Sequence, residues 1–465
     1  MDELRGALAD ADGFRAWMRE DWERREHDAP CPPGAAEAAA AHRDRLSAAF
    51  PRKRVALAAG RPAVRSNDTF HGFRADSDFV WLTGCQAPGA VLVMTPVPEG
   101  HEATVYLPAP AAPHETDFFA DADTSRFWVG RSATPREWER ALGIPCRPLE
   151  DLPSALRGRH PAALAARGTD PWLDALVGAH SPRLREVLAE LRRVKDDWEI
   201  AELRSAVAAT IQGFGDVVGA LDEAVRGGGE RWLQGTFDRR ARAAGNGPGY
   251  ASIVAAGPNS PVLHWTRCDG PVAEDALLLL DVGVEANSLY TADITRTFPV
   301  SGSFGDAERR VYDLVHAAHL AALAEVRPGK EFRDFHAASS AVLAQGLHDW
   351  GLLPVSVDEA LSARGQHHRR YMVCGTGHHL GLDVHDCAHA GFEAYQLAAL
   401  EPGMVLTVEP GLYFHPDDLT VPPELRGVGV RVEDDLVITA DGVENLSAAL
   451  PVDADDLTAW VAAHR

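Results

Sequence analysis

Apolar positions along this chain follow two different periods. Leu203, Val207, Ile211, Phe214 and Val218 recur every three or four residues, which predicts a long helix with one buried stripe. Val311, Leu314, Val315 and Ala318 repeat that spacing and predict a second helix, stopped by Pro328-Gly329. Strand-type runs lie between and after them. Ala276-Leu277-Leu278-Leu279-Leu280 leads straight into Asp281, and residues 289–298, rich in β-branched and aromatic side chains, enclose Asp293. The break at residues 285–288 joins these runs as a hairpin. Centred on Asn287, it sets Asp281 and Asp293 opposite each other, with Cβ atoms about 4.5–5.5 Å apart. The run 404–408 ends in Glu409, after which Pro410-Gly411 is expected to turn the chain. Val428, Val430 and Val432 alternate with Gly429, Arg431, Glu433 and Asp435, so one strand face presents Arg431 beside Glu433.

Upstream, short β-type runs such as 91–94 and 103–107 alternate with helical patches across residues 54–182, as in an α/β domain. The join to the second half falls around residues 181–195. Residues 1–45 are rich in Ala, Arg and acids, are interrupted by Pro32-Pro33-Gly34, and read as an N-terminal extension. The acid pairs Asp76/Asp78 and Asp121/Asp123 read as surface acids or helix caps.

Composition narrows the class. With 465 residues and 46% hydrophobic content the chain can bury ample core, most economically as two domains. Its 68 Asp and Glu outweigh 45 Lys and Arg, for a formal net charge of −23, which disfavours a nucleic-acid footprint and shows no polybasic membrane patch. The start, Met1-Asp2-Glu3-Leu4-Arg5, lacks the apolar core of a secretory signal, and no stretch is apolar enough to span a bilayer. The six cysteines are scattered without CxxC spacing, as expected for reduced thiols in a cytoplasm.

The chemistry concentrates in Asp281, Asp293, His378, Glu409 and Glu433. An acid that ends an apolar strand must be paired, protonated or bound to metal. Two ordinary acids on a solvated hairpin end are the plain alternative for Asp281 and Asp293, as an ion pair is for Arg431 and Glu433. Residues 371–386 weigh against both, since they bring His378, His379 and His385 together with Gly375, Gly377 and Gly381. Four carboxylates and one imidazole form a hard, oxygen-rich set, which reads as a hydrolase built around two divalent cations.

The order and wording of these segments resemble the pita-bread metallopeptidases, specifically the aminopeptidase P (Xaa-Pro aminopeptidase) family. The resemblance is carried by Ala255-Ala256-Gly257 through His264-Trp265-Thr266, Leu280-Asp281-Val282-Gly283, Thr291-Ala292-Asp293-Ile294-Thr295-Arg296-Thr297, Gly375-Thr376-Gly377-His378 through Val384-His385-Asp386, Thr407-Val408-Glu409-Pro410-Gly411 and Gly427-Val428-Gly429-Val430-Arg431-Val432-Glu433. Upstream, Arg74 to Gly84 is similar to the family's amino-terminal domain. The implied fold is α+β: a pita-bread (creatinase/aminopeptidase) catalytic domain over 186–465, preceded by an α/β, ribonuclease H-like domain over 46–185.

The resemblance also implies roles. Asp281, Asp293, His378, Glu409 and Glu433 would hold two divalent ions, usually manganese, with Asp293 and Glu433 bridging. Glu409 would carry the proton from attacking water to the departing proline nitrogen. His264 and His385 would flank the scissile bond and contact substrate, and Arg431 would orient the carboxylates. The substrate would be a peptide with proline second, and the assembly a homodimer or homotetramer. One position departs from the pattern: four residues before His378 the family usually carries a His, where this chain has Cys374. That leaves the ligands intact and predicts altered or narrowed substrate contact. Prolidase, a phosphotriester-hydrolysing relative, and a catalytically weakened pita-bread binding protein are the alternative readings.

Overall fold

A computed structural model describes residue 8 and residues 10–23, 25–121, 124–157, 162–178 and 180–465; the opening residues Met1 to Arg5 and Asp123 lie outside these. The chain divides into two compact units, Met1–Leu188 and Ala189–Arg465.

In the first unit, strands β1 (Val55–Ala58), β2 (Val91–Val97), β3 (Gly100–Leu107), β4 (Cys146–Pro148) and β5 (Leu164–Ala165) form one sheet in the order β4-β3-β2-β1-β5. β1 runs antiparallel to β2 and parallel to β5. The apolar runs seen in the sequence supply its core: Ala56, Ala58, Val91, Val93 and Tyr106 close on Leu152 and Leu173. Helix α1 (Ala35–Ala49) runs through residue 45, so the end of the expected extension belongs to this unit's packing. His42 stacks on Trp81 of α2 (Ser77–Thr83) with centroids 4.3 Å apart, and Arg43 donates to the Leu82 carbonyl. Asp76 caps α2 by accepting from the Phe79 N–H, and Asp121 accepts from the Thr124 N–H, so both acids close local structure.

The second unit opens with α3 (Asp197–Gly219), started by a reciprocal Asp196/Glu199 capping box. Its predicted stripe is its buried face: Leu203, Val207, Phe214 and Val218 are fully buried. α4 (Gly229–Ala244) packs against it where Gly213 leaves room for Phe237; a Cβ there would lie 2.6 Å from that ring. β6 (Ile253–Ala256), β7 (Leu277–Val282) and β8 (Ile294–Pro299) form an antiparallel sheet in the order β8-β7-β6. α5 (Asp306–Glu325), the second predicted helix, and α6 (Phe332–Asp349) follow.

The last part of the sheet system corrects two expectations. Pro410-Gly411 does not turn the chain: β9 (Val405–Val408) is followed directly by β10 (Gly411–Phe414), which carries on as a strand. Likewise 428–435 is not one strand but two, β11 (Val428–Arg431) and β12 (Asp434–Thr439). β9 pairs with β12, which also pairs with β13 (Gly442–Asn445), and β10 pairs with β11. Both ladders keep one register, Val405↔Val437 and Gly411↔Arg431. Pro410 has no N–H to give the ladder, so the ribbon opens there and frees the side chains beside it. α7 (Ala454–His464) closes the unit, and among the described residues no helix is long and apolar enough to cross a membrane.

Candidate metal centre

The register of β7 against β8 runs from Leu277↔Pro299 to Val282↔Ile294, so Asp281 faces Thr295 rather than Asp293. The connection is centred on Ser288, one residue later than expected from the apolar pattern. Asp293 falls opposite Gly283, where a Cβ would lie 1.7 Å from the Ala292 carbonyl oxygen; only glycine allows that approach. The two aspartates are therefore diagonal neighbours on one face, not a direct pair. The directly opposed carboxylates belong to the other ribbon, whose register carried through the Pro410 break sets Glu409 across from Glu433.

Backbone contacts join these strands into one floor. The Glu433 N–H donates to the Thr295 carbonyl, and the Glu409 N–H to the Thr376 carbonyl. The Thr407 N–H donates to the His378 carbonyl, which lays the histidine-rich segment along β9. Asp281, Asp293, His378, Glu409 and Glu433 thus line a single cavity of about 690 Å³ together with His264, Cys374, His385 and Arg431. Every site residue expected from the sequence lies on its wall.

Electrostatics inside the cavity are unbalanced. Burial, reinforced by the neighbouring carboxylates, pushes Glu433 well above the ordinary range and Glu409 up to about 7, with His378 opposing the rise at Glu409. Burial alone would lower His378, but its contacts with Asp293 and Glu409 outweigh that and lift it to about 9. His378 Nε2 lies 3.2 Å from Asp293 and 3.5 Å from Glu409. Its Nδ1 faces the His379 carbonyl at 3.1 Å, a contact that requires Nδ1–H. In the neutral ring this leaves the Nε2 lone pair aimed at the acids, the tautomer of a metal ligand.

Arg431 does not form the ion pair with Glu433 that was its plain alternative reading. Its guanidinium donates not to Glu433 but to Asp281 at 2.5 Å, to the Thr295 hydroxyl at 3.1 Å and to the Tyr413 hydroxyl at 3.0 Å. Partner switching at Val432 turns Glu433 away from its strand neighbour. Glu433 accepts from Thr295 through Oε2, while its buried Oε1 has no partner.

Tyr250, which the sequence reading missed, sits between the two aspartates, with its hydroxyl 2.5 Å from an oxygen of each. One phenolic hydrogen cannot serve both oxygens, so the group lacks a positive charge. Asp435 was noted only for its strand face; it accepts from the Asp293 N–H and leaves its other oxygen unpaired. The signal for Tyr250 was the close spacing of glycines in Gly247-Pro248-Gly249, which marks tight backbone but names no chemistry.

The mouth of the cavity is held by buried anchors farther out. Glu230 accepts from the Ala256 and Gly270 N–H groups, Asn259 and the Trp265 indole, which clamps the loop bearing His264 at both ends. Asp386 accepts from Arg192 and from Lys195 at 2.9 Å, which pins the loop bearing His385. The His385 ring stands 4.5 Å from His378 at 77°. Burial and then the His378 charge lower His385, so it enters the site neutral. Burial and the nearby Glu409 raise the Cys374 thiol, which therefore stays protonated.

The donors fit divalent cations. Asp293, His378 and Glu433 each present one ligand atom within 4.8 Å of the others. An unpaired Glu433 oxygen, a lone pair aimed at acids and a shared phenol all point to missing positive charge.

Comparison with known proteins agrees with this geometry. Residues 201–440 match metallopeptidase family M24, and residues 39–163 match the aminopeptidase P N-terminal domain. The chain is 48% identical to Xaa-Pro aminopeptidase 2 of Streptomyces coelicolor, over 96% of this chain and 95% of that protein. It is 33% identical to Xaa-Pro aminopeptidase of Escherichia coli, over 88% and 94%. Among solved structures, a zinc-substituted E. coli aminopeptidase P in complex with product superposes with a TM-score of 0.83 at 30% identity, covering 92% of this chain and 99% of that one.

Proposed function

The chain belongs to metallopeptidase family M24 and is a metal-dependent aminopeptidase of the Xaa-Pro type, and on that premise we propose how its cavity residues divide the work. The reaction is hydrolysis of the bond between an N-terminal residue and a penultimate proline. Asp281, Asp293, His378, Glu409 and Glu433 would hold two divalent ions. Bound there, the ions supply Lewis acidity and lower the pKa of water. Manganese suits this set, since four of the five ligands are carboxylates and one is an imidazole.

Glu409 holds and moves the proton. It takes a proton from attacking water and releases it to the departing proline nitrogen. His264 and His385 would flank the scissile bond, His385 near its carbonyl oxygen, and stabilise the charge that develops during attack. Arg431 touches no substrate; it positions Asp281 by direct hydrogen bonding. Cys374 lines the same wall, and its short, protonated thiol gives weaker substrate contact than the histidine usual at that place.

The observation that carries this reading is one cavity that gathers four carboxylates and one imidazole and leaves a buried Glu433 oxygen without a partner. Near-full-length similarity to Xaa-Pro aminopeptidases favours cleavage of longer peptides over a dipeptide-only activity. Cleavage of an Xaa-Pro-Xaa tripeptide and an Xaa-Pro dipeptide, each with and without chelator, tests both points. Tripeptide turnover that chelator abolishes supports the reading; turnover of the dipeptide alone points to prolidase.

The same reading includes a cytoplasmic protein, which six free cysteines suit, and, from the family resemblance alone, assembly as a homodimer or homotetramer. It also divides the chain into an N-terminal extension over 1–45, an aminopeptidase P N-terminal domain over 46–185 and the catalytic domain over 186–465, a division the two compact units support.

A further inference from the structure

We propose that the first unit carries an anion site for oligophosphate groups, distinct from the metal centre and independent of its chemistry. A surface pocket of about 410 Å³ lies beyond the carboxyl ends of β1 and β5, two adjacent parallel strands. Ala59-Gly60-Arg61 leaves one strand and Arg167-Gly168-Thr169 follows shortly after the other. Crevices at the carboxyl ends of parallel strands are where α/β sheets commonly seat ligands.

Arg61, Arg74, Arg167 and Arg185 all line this pocket. In a chain with a net charge of −23, four guanidinium groups around one small concavity are a local reversal of sign. Two of them are spoken for: Arg61 pairs with Asp170 at 2.9 Å, and Arg74 donates to the Ser77 hydroxyl. Arg167 and Arg185 have no carboxylate partner among the described residues, and Arg185 donates only to the Arg167 carbonyl. Arg185 also sits in the first turn of the helix Pro182–Arg192, where the backbone dipole disfavours a cation, so helix stability does not explain it.

One acid, Asp76, lines the pocket, but both its oxygens are engaged, by the Phe79 N–H and the Thr169 hydroxyl. Four guanidinium groups against Asp76 and the Arg61 partner Asp170 leave the pocket a net positive charge and planar donor forks. That combination matches phosphate oxygens, which arginine binds in bidentate fashion. The volume suits a chain of two or three phosphates better than a single one.

The test is calorimetric titration of the full-length metal-loaded protein with inorganic tripolyphosphate and, separately, ATP. Equal affinity for the two identifies the phosphate chain as the ligand; tighter ATP binding identifies a nucleotide, and both outcomes support the site. The variant R167A/R185A is expected to lose about tenfold or more in affinity, with metal content and tripeptide cleavage unchanged. Should that variant misfold, Arg167→Gln alone serves, because the Arg167 side chain is exposed and carries no described bond; the same loss is expected. No binding of either probe at about 1 mM, or binding that both variants leave untouched, overturns the proposal.

Discussion

Two sets of acids are buried in the second unit, and they are built in opposite ways. Asp386 and Asp434 are almost fully buried, yet each is closed by cations: Asp386 by Arg192 and Lys195, Asp434 by Arg296, with Ser447 and Asn445 besides. Burial raises both carboxyls, but those partners win and hold them well below the usual range. Against burial, His378 holds Asp293 below its usual range, whereas Glu409 and Glu433 are left above theirs, and the Arg431 guanidinium is turned to Asp281. Burial of an acid therefore does not mark a site. A shortage of internal countercharge does, because it leaves work for an ion from outside.

Replacing one acid from each set should separate them most sharply. Glu433→Gln should lower tripeptide turnover by about 10³-fold or more and cut metal content, since several kcal/mol of transition-state stabilisation depend on the ions. In the metal-free protein the same change should leave stability unchanged or raise it, because it replaces a carboxyl whose buried Oε1 has no partner. Asp386→Ala should behave in the reverse sense. It strands Arg192 and Lys195 in the interior and should cost about 3–5 kcal/mol in denaturant titration. If both variants destabilise the metal-free protein alike, the contrast fails.

The pH dependence of thermal stability should divide the same way. Glu409, at about 7, and His378, at about 9, are both raised above their unfolded values, so the folded metal-free protein binds protons more tightly there. Their contribution is present at low pH and lost as pH rises through those values, so metal-free stability should fall between about pH 5 and 9. Asp386 and Asp434 are depressed, so theirs is present above the unfolded value and lost as pH falls below about 4. Bound manganese should flatten the first slope and leave the second. A metal-free protein whose Tm holds steady from pH 5 to 9, about the window set by these shifts, would contradict the assignment.

The smallest effect is expected at the cavity wall. Cys374→His should raise tripeptide turnover by up to about tenfold, roughly the worth of one hydrogen bond to a developing charge. Metal content should not change. A drop in turnover would show that the thiol is matched to its substrate.

Much of the site was legible because its acids interrupt apolar strands, a local pattern that needs no knowledge of pairing. Asp281 and Glu409 each end such a run, and His378 stands among glycines. Helices α3 and α5 were legible for the same reason, since a buried stripe repeats within the segment itself. What could not be read was register. The break at 285–288 suggested Asn287 as the centre, but pairing set by the core from Leu277 to Val282 moved it to Ser288 and made the aspartates diagonal. The opposed pair, Glu409 and Glu433, arises from two segments far apart in sequence, and local alternation could not align them. The partner of Arg431 could not be read for that reason: Asp281 comes from a strand 150 positions away.

Anomalous diffraction at the manganese edge, on crystals grown with the ion, tests the central claim most directly. Two peaks about 3.5–4 Å apart, with Asp293 and Glu433 between them and His378 Nε2 on one, are the predicted result. A cavity without peaks, with His378 still paired to Asp293 and Glu409 despite added metal, would contradict it.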